Sequence, residues 1–256
     1  MNRLSFLLTV FFLSNSLSIA ETPNLRQHFA PAGLSGTFVS YDPQLDQSIV
    51  YNPDRAKKRY QPASTFKVAN ALIALESGVV ANLEEVIPYG GTKEYFKRWE
   101  KDMHLRDAMK HSNVAVFHQV ARRIGLDTLK QKLTAFEYGN QDPGESIENR
   151  FWLKGPLKIS AMEQVAFLRR LTTGKLPVSP TTVDLGRTLL LHEMKETYAI
   201  YAKTGWVGPE APQIGWWIGW VTRGDVAYPF ALNIDIKEAA DAPKRLMVGK
   251  ACLREI

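Results

Sequence analysis

The chain contains one cysteine, Cys252, in 256 residues. A lone thiol closes no intramolecular disulfide, so the fold must rest on its core, and a hydrophobic content of 45% is enough to build one. Beyond residue 20 no stretch reaches the ~18 consecutive apolar residues of a membrane-spanning helix. The five histidines form no H-x-H or H-E-x-x-H pairing, and no G-x-S-x-G elbow is present, which removes two common hydrolytic layouts. Basic residues are scattered through the chain, without an arginine-rich arm, zinc-finger spacing or an aromatic RNA motif. The formal charge of +6 therefore argues against nucleic acid and for anionic small molecules. Neither an internal repeat nor a low-complexity segment is found.

What is present begins with "MNRLSFLLTVFFLSNSLSIA": Arg3, an apolar stretch from Leu4 to Leu13, then the small residues Ser18 and Ala20. This layout predicts a signal peptide over residues 1–20 and a protein exported in soluble form, most simply to the bacterial periplasm; a retained anchor is the alternative. "GTFVSYDP" and "QSIVYNP" read as a hairpin, and "TYAIYAKTG", "IGWWIGWVT" and "AYPFALNIDI" as β-branched and aromatic strands near the other end. Between them, Val68, Ala71, Leu72 and Leu75 have helical spacing with Gly78 as a stop, and Ser160 with Glu163 forms a capping box before a helix closed by Gly174. A last helix runs from Asp241 to Leu253. The expected fold is α+β: an antiparallel sheet from the N- and C-terminal strands, flanked by helices, plus a helical subdomain. Residues 21–256 are expected to form a single catalytic domain, with its mixed part at about 21–63 and 196–256, its helical part at about 64–195, and a cleft between them.

In "QPASTFKVANALIALESG", Ser64 stands three residues before Lys67, so a helix would turn hydroxyl and amine to one face. Such a pair is either a nucleophile with its base or an N-cap serine beside a solvated lysine. Two further clusters bear on the choice. "HSNVAVF" carries Ser112, Asn113 and Val114 between helical stretches, and "YAKTGWVG" places Lys203, Thr204, Gly205 and Trp206 at a strand end. His104, His111 and His118 recur every seven residues, but the Ser-Asn-Val loop should break that helix, and no metal site is expected.

The order of these three motifs resembles the serine penicillin-recognising enzymes, and their variants resemble class D, the oxacillinase-type β-lactamases. Ser112-Asn113-Val114 stands where class A has Ser-Asp-Asn. Tyr138-Gly139-Asn140, Trp152 in "RFWLKGPL" and "GWWIGWV" also fit the class D pattern, and the resemblance spans about Gly36 to Arg245. No E-x-x-L-N stretch lies between Tyr138 and Ile159 to supply a class A glutamate, so Lys67 is left as the candidate base.

A free lysine is protonated at neutral pH, and only burial would give it a basic lone pair. Phe66, Val114, Trp152 and Leu153 are the apolar neighbours expected of it. The resemblance implies carboxylation of Lys67 by carbon dioxide to N6-carboxylysine, with no other cofactor and no metal, and an indole N–H from Trp152 on that group. The alternative for Trp152 is a core ring with its N–H on a backbone carbonyl. The resemblance further implies that Ser64 is the nucleophile, with the Ser64 and Trp206 amides as the oxyanion hole. Ser112 would pass a proton to the lactam nitrogen, with Val114 beside it, and Lys203, Thr204 and Arg245 would hold the substrate carboxylate, Gly205 permitting close approach.

The implied activity is hydrolysis of β-lactam antibiotics, and with it resistance, by a monomer or homodimer. A penicillin-binding transpeptidase or a β-lactam sensor would be acylated and deacylate slowly. A carbohydrate-binding module would use Trp206, Trp216, Trp217 and Trp220 as a stacking surface, although alternating strand positions send most of these rings into the core.

Overall fold

In the computed structural model, residues 23–208 and 213–256 are described; the expected signal peptide at 1–20 lies outside the described residues, as does part of the loop from Val207 to Ile214. The β-branched and aromatic runs pair as their alternation demands. Strand β1 (Gly36–Asp42) forms a hairpin with β2 (Gln47–Tyr51), and the C-terminal third supplies β6 (Ala199–Trp206), β7 (Ile214–Arg223) and β8 (Val226–Asp235). With β5 (Leu191–Met194) they make a six-stranded sheet in the order β2-β1-β8-β7-β6-β5, antiparallel at every pairing. The N-terminal hairpin docks on the C-terminal strands through β1 and β8, with Phe38 opposite Leu232.

Strand β7 is buried on both faces, so its period of two separates two cores. Trp216, Ile218 and Trp220 enter the core shared with the central helices, whereas Trp217 and Val221 enter a second core with Phe230 and Cys252. The second is covered by α1 (Arg26–Phe29) and by α9 (Asp241–Arg254), which packs on β7 and β8. The rings of Trp216, Trp217 and Trp220 are thus interior, and only Trp206 is exposed among the four considered as a stacking surface.

The other face carries α2 (Pro53–Lys57), then a 3-10 turn at Ala63–Thr65 leading into α3 (Phe66–Glu76). After the strands β3 (Val86–Ile87) and β4 (Met103–His104) and an intervening 3-10 turn at Lys97–Trp99 come α4 (Leu105–Lys110), α5 (Val114–Ile124), α6 (Leu126–Ala135), α7 (Ala161–Thr172) and α8 (Pro180–Leu190). Helix α7 begins at the expected capping box and lies on β1 and β8; α3 is flanked by α5 and α8. Gly78 at φ +71° and Gly174 at φ +67° end α3 and α7 in the left-handed turn that favours glycine.

The expectation that residues from about 64 to 195 form a helical part of helices and loops is corrected in two places, where strands occur. Val86–Ile87 and Met103–His104 pair as a small separate sheet, and Leu191–Met194 extends the main sheet as its edge. Neither was visible as a strand because two residues give no period and "LHEM" has no β-branched residue.

Candidate active site

Four segments meet where the sheet faces the helices: the Ser64 turn, the Ser112 loop between α4 and α5, the end of β6, and the Trp152 turn. Ser64 is held at the start of the central helix by bonds to three of its neighbours. The Ala63 N–H donates to the Trp152 carbonyl at 2.9 Å, Thr65 Oγ1 donates to the Pro62 carbonyl at 2.6 Å, and Gln164 Nε2 donates to Thr65 Oγ1 at 3.0 Å. The buried Trp216 indole donates to the Gln61 carbonyl at 2.9 Å, which ties the segment ahead of the turn to the sheet.

The N-cap alternative for Ser64 does not hold. The serine lies in the 3-10 turn, α3 starts two residues later, and its hydroxyl receives a hydrogen bond from Lys67 Nζ at 2.9 Å. Nor is Lys67 solvated: it is 0% exposed on a helix whose residues from Phe66 to Ala74 are all buried. Burial first, then the nearby Lys203 and Arg150 cations, hold its amine well below the ordinary lysine range.

Trp152 is wholly buried and stacks on Phe66 with ring centres 5.7 Å apart. Its indole N–H has no hydrogen-bond partner among the described residues, so the backbone-carbonyl alternative is not what the structure contains there. Of the neighbours expected around Lys67, Phe66 and Val114 are buried, whereas Leu153 is half-buried at the margin of the core. Phe117, one turn into α5, was not anticipated, and its ring centre lies 5.5 Å from Lys67 Nζ.

Ser112 has φ +53°, a left-handed conformation that turns the chain sharply between α4 and α5. Asn113 caps α5, its side chain accepting from the Val116 N–H, and also donates to the Trp99 carbonyl at 3.1 Å. This break separates the three evenly spaced histidines, with His104 on β4, His111 at the end of α4 and His118 in α5. Among the described residues no group of three or more His, Cys, Asp or Glu side chains is arranged to hold a metal ion.

Lys203 Nζ donates to Ser112 Oγ and to the Thr204 carbonyl, each at 3.0 Å. Burial chiefly, and Arg245 in addition, push its amine down to about 7. Arg245 is half-buried, pushed down by burial to about 10, and its guanidinium donates to the Ala242 carbonyl. It is anchored rather than freely solvated, beside Gly215 at the start of β7.

Gly205 makes a close approach within the protein that the sequence reading did not foresee. A Cβ there would lie 3.0 Å from both the Pro62 carbonyl oxygen and Thr65 Cγ2, so the missing side chain lets β6 press against the Ser64 turn. Trp206, 39% exposed, follows at the strand end, its indole donating to Gln213 Oε1 at 3.1 Å.

A serine on a turn before a buried lysine, faced by a second serine bonded to a strand lysine, beside a six-stranded antiparallel sheet, defines an active-serine fold of the transpeptidase type. Consistent with this, the penicillin binding protein transpeptidase domain family matches residues 35–254. Beta-lactamase OXA-5 of Pseudomonas aeruginosa is 38% identical over 250 residues, covering 96% of this chain and 93% of the relative. Beta-lactamase OXA-48 of Klebsiella pneumoniae is 37% identical over 235 residues, covering 92% and 88%. Among solved structures, the class D β-lactamase YbXI from Nostoc superposes with a TM-score of 0.87 at 35% identity, covering 91% of this chain and 98% of its own. FUS-1 (OXA-85), a class D β-lactamase from Fusobacterium nucleatum subsp. polymorphum, gives 0.85 at 39% identity, covering 90% and 96%. The chain belongs to the class D serine β-lactamases.

Proposed function

We propose that this chain hydrolyses β-lactam antibiotics through an acyl-enzyme on Ser64, with Lys67 carrying carbon dioxide as a carbamate, and so confers resistance. The observation that carries the reading is the fully buried Lys67 amine 2.9 Å from Ser64 Oγ, with a buried, unpartnered indole N–H on the neighbouring Trp152. Burial disfavours the ammonium and so favours the neutral amine, which is the form that adds carbon dioxide, and the Trp152 donor suits an oxygen anion at the end of Lys67. When present, that carbamate supplies an oxygen base beside the serine.

The chain's own groups do the rest. Ser64 gives up its proton towards the Lys67 head group and attacks the lactam carbonyl, and the backbone N–H groups of Ser64 and Trp206 receive the oxyanion. One such donor is commonly worth about 3 kcal/mol in the transition state. Ser112 passes its hydroxyl proton to the departing lactam nitrogen and recovers one from Lys203, to which it is already hydrogen-bonded. Lys203, Thr204 and Arg245 bind the substrate carboxylate, and Val114 closes the apolar side of the pocket. Water then attacks the ester, with its proton taken on the Lys67 side, and Ser64 is released. General-base assistance of this kind contributes about a hundred- to ten-thousand-fold.

Residues 21–256 act in this reading as a single catalytic domain, exported to the periplasm after loss of residues 1–20 and needing no metal. Among the described residues no helix is long and apolar enough to cross a membrane. Steady-state hydrolysis of oxacillin, with and without bicarbonate, tests the assignment. Bicarbonate is expected to raise turnover and Lys67→Ala to abolish it; normal turnover by Lys67→Ala would rule out the base. A chromogenic cephalosporin separates hydrolysis from the lasting adduct that a transpeptidase or sensor would form.

A further inference from the structure

Glu94 and Arg150 lie 56 positions apart and form a two-pronged ion pair, with Arg150 Nη1 donating to Glu94 Oε2 at 3.0 Å and Nη2 to Oε1. The Glu94 side chain is only 2% exposed and that of Arg150 27%. A carboxylate so completely removed from water is tolerable only when its charge is matched and its lone pairs are filled. Thr92 Oγ1 fills another, donating to Glu94 Oε1 at 2.9 Å, and the Glu94 N–H donates to Glu100 Oε1 at 3.2 Å.

Each partner sits on a segment that frames the reacting groups. Arg150, at φ +49°, begins the Trp152 turn: its carbonyl accepts from the Leu153 N–H at 2.7 Å, and the Trp152 carbonyl two residues on accepts from Ala63 beside the nucleophile. Glu94 belongs to the loop that ends at Trp99, whose carbonyl accepts from Asn113 and whose indole donates to the His111 carbonyl at 3.1 Å. The pair therefore joins the frame around Ser112 to the frame around Trp152 and Ser64.

We propose that Arg150, clamped by Glu94, is a positioning residue that promotes carboxylation of Lys67 by holding the Trp152 turn, and with it the Trp152 indole N–H, in place. This rests on the carbamate reading given above. In the carboxylation step the neutral amine's lone pair forms an N–C bond to carbon dioxide, one C=O electron pair moves onto oxygen, and an amine proton leaves to solvent. A Trp152 N–H held in place by the turn can donate to the oxygen anion that results and so favours it. Arg150 is one of the two cations that lower the proton affinity of Lys67. His118, whose ring centre is 6.2 Å from that of Trp152, is held below the ordinary histidine range by burial, then by Arg122 and Arg150.

The test uses the double variant Glu94→Gln/Arg150→Met, which removes the pair without stranding a buried charge, with a thermal melt to establish folding. Carbon-13 NMR of the full chain in labelled bicarbonate reads the carbamate carbon directly. The double variant is expected to need about five- to tenfold more bicarbonate for a half-maximal signal, the effect of loosening one hydrogen-bond donor to an anion. Arg150→Lys, which keeps a cation but loses the fork, is expected to fall towards the double variant; a requirement equal to that of the unaltered enzyme would overturn the role of the two-pronged clamp. If the unaltered enzyme shows the signal and the double variant shows it at the same bicarbonate concentration, this inference fails alone. No signal in the unaltered enzyme would overturn it together with the carbamate reading.

Discussion

Lys203 Nζ donates to Ser112 Oγ at 3.0 Å, so a hydrogen bond links one sheet strand to the loop between two helices. Neither side chain is held by its own element alone. The amine, lowered to about 7 by burial and by Arg245, is poised to change charge near neutrality.

This gives the first prediction. Above pH about 7 Lys203 loses its proton in the free enzyme, while Arg245, lowered only to about 10, stays charged. The KM for a penicillin should therefore rise as pH passes from about 6.5 to 8.5, without binding being abolished. A pH-independent KM over that interval would count against Lys203 as a carboxylate ligand. Stability carries the opposite sign. The unfolded chain keeps this lysine protonated to about pH 10.4, so the unfolded state binds more protons between about 7 and 10, and stability from this group grows with pH there. The thermal midpoint of the enzyme should gain on that of Lys203→Met as pH rises through that window.

Trp152→Phe keeps a ring on Phe66 and deletes the unpartnered N–H. Deacylation should slow by more than about tenfold, visible as a burst followed by a slower steady state, and added bicarbonate should restore part of it. The smaller ring leaves a void costing about 1–3 kcal/mol. Unchanged burst kinetics would show that the indole donor takes no part.

Gly205→Ala places a methyl group 3.0 Å from the Pro62 oxygen and Thr65 Cγ2, both parts of the Ser64 turn. Strand and turn must separate by a few tenths of an ångström; a misplacement of about 1 Å at a reacting centre can cost about a hundredfold in rate, and this smaller shift correspondingly less. We expect kcat/KM to fall by up to about tenfold with little loss of secondary structure by circular dichroism.

Gly139 is a site for a prediction about stability. It has φ +56°, and a Cβ there would lie 2.1 Å from the Lys158 carbonyl oxygen. The adjacent Asn140 pairs with that strap through its N–H to Lys158 at 2.9 Å and its amide to the Pro156 carbonyl at 2.9 Å, closing the base of the Trp152 loop. Gly139→Ala should therefore cost about 2–4 kcal/mol, seen as a lower denaturation midpoint, because strain and collision act together. Native stability in this variant would mean that the strap can move aside.

Much of this was legible in the chain. The three long C-terminal strands announce themselves by β-branched and aromatic content, the hairpin by its turn residues, and α7 by Ser160 and Glu163, because each signal is local. The motif residues Ser64, Lys67, Ser112 and Lys203 do converge, and burial of Lys67 follows from the apolar run around it. Other features depend on segments far apart. That Ser64 sits on a 3-10 turn reflects β6 lying against it at Gly205, 141 positions later, which no window of the sequence contains. Phe117 beneath Lys67 and Glu94 on Arg150 are likewise products of packing; the sole local hint is an acidic residue in a loop otherwise rich in aromatics and cations.

Helix α3 has no wet side from Phe66 to Ala74, where every residue is buried, so the rod that carries Lys67 directly after the Ser64 turn is walled in all round. Fraying cannot reach it piecemeal, and its amide hydrogens should exchange only when the whole molecule opens. Heat should thus leave the hydrolytic machinery intact until the fold itself gives way, while the rim of the cleft remains free to drift in sequence without loosening the centre.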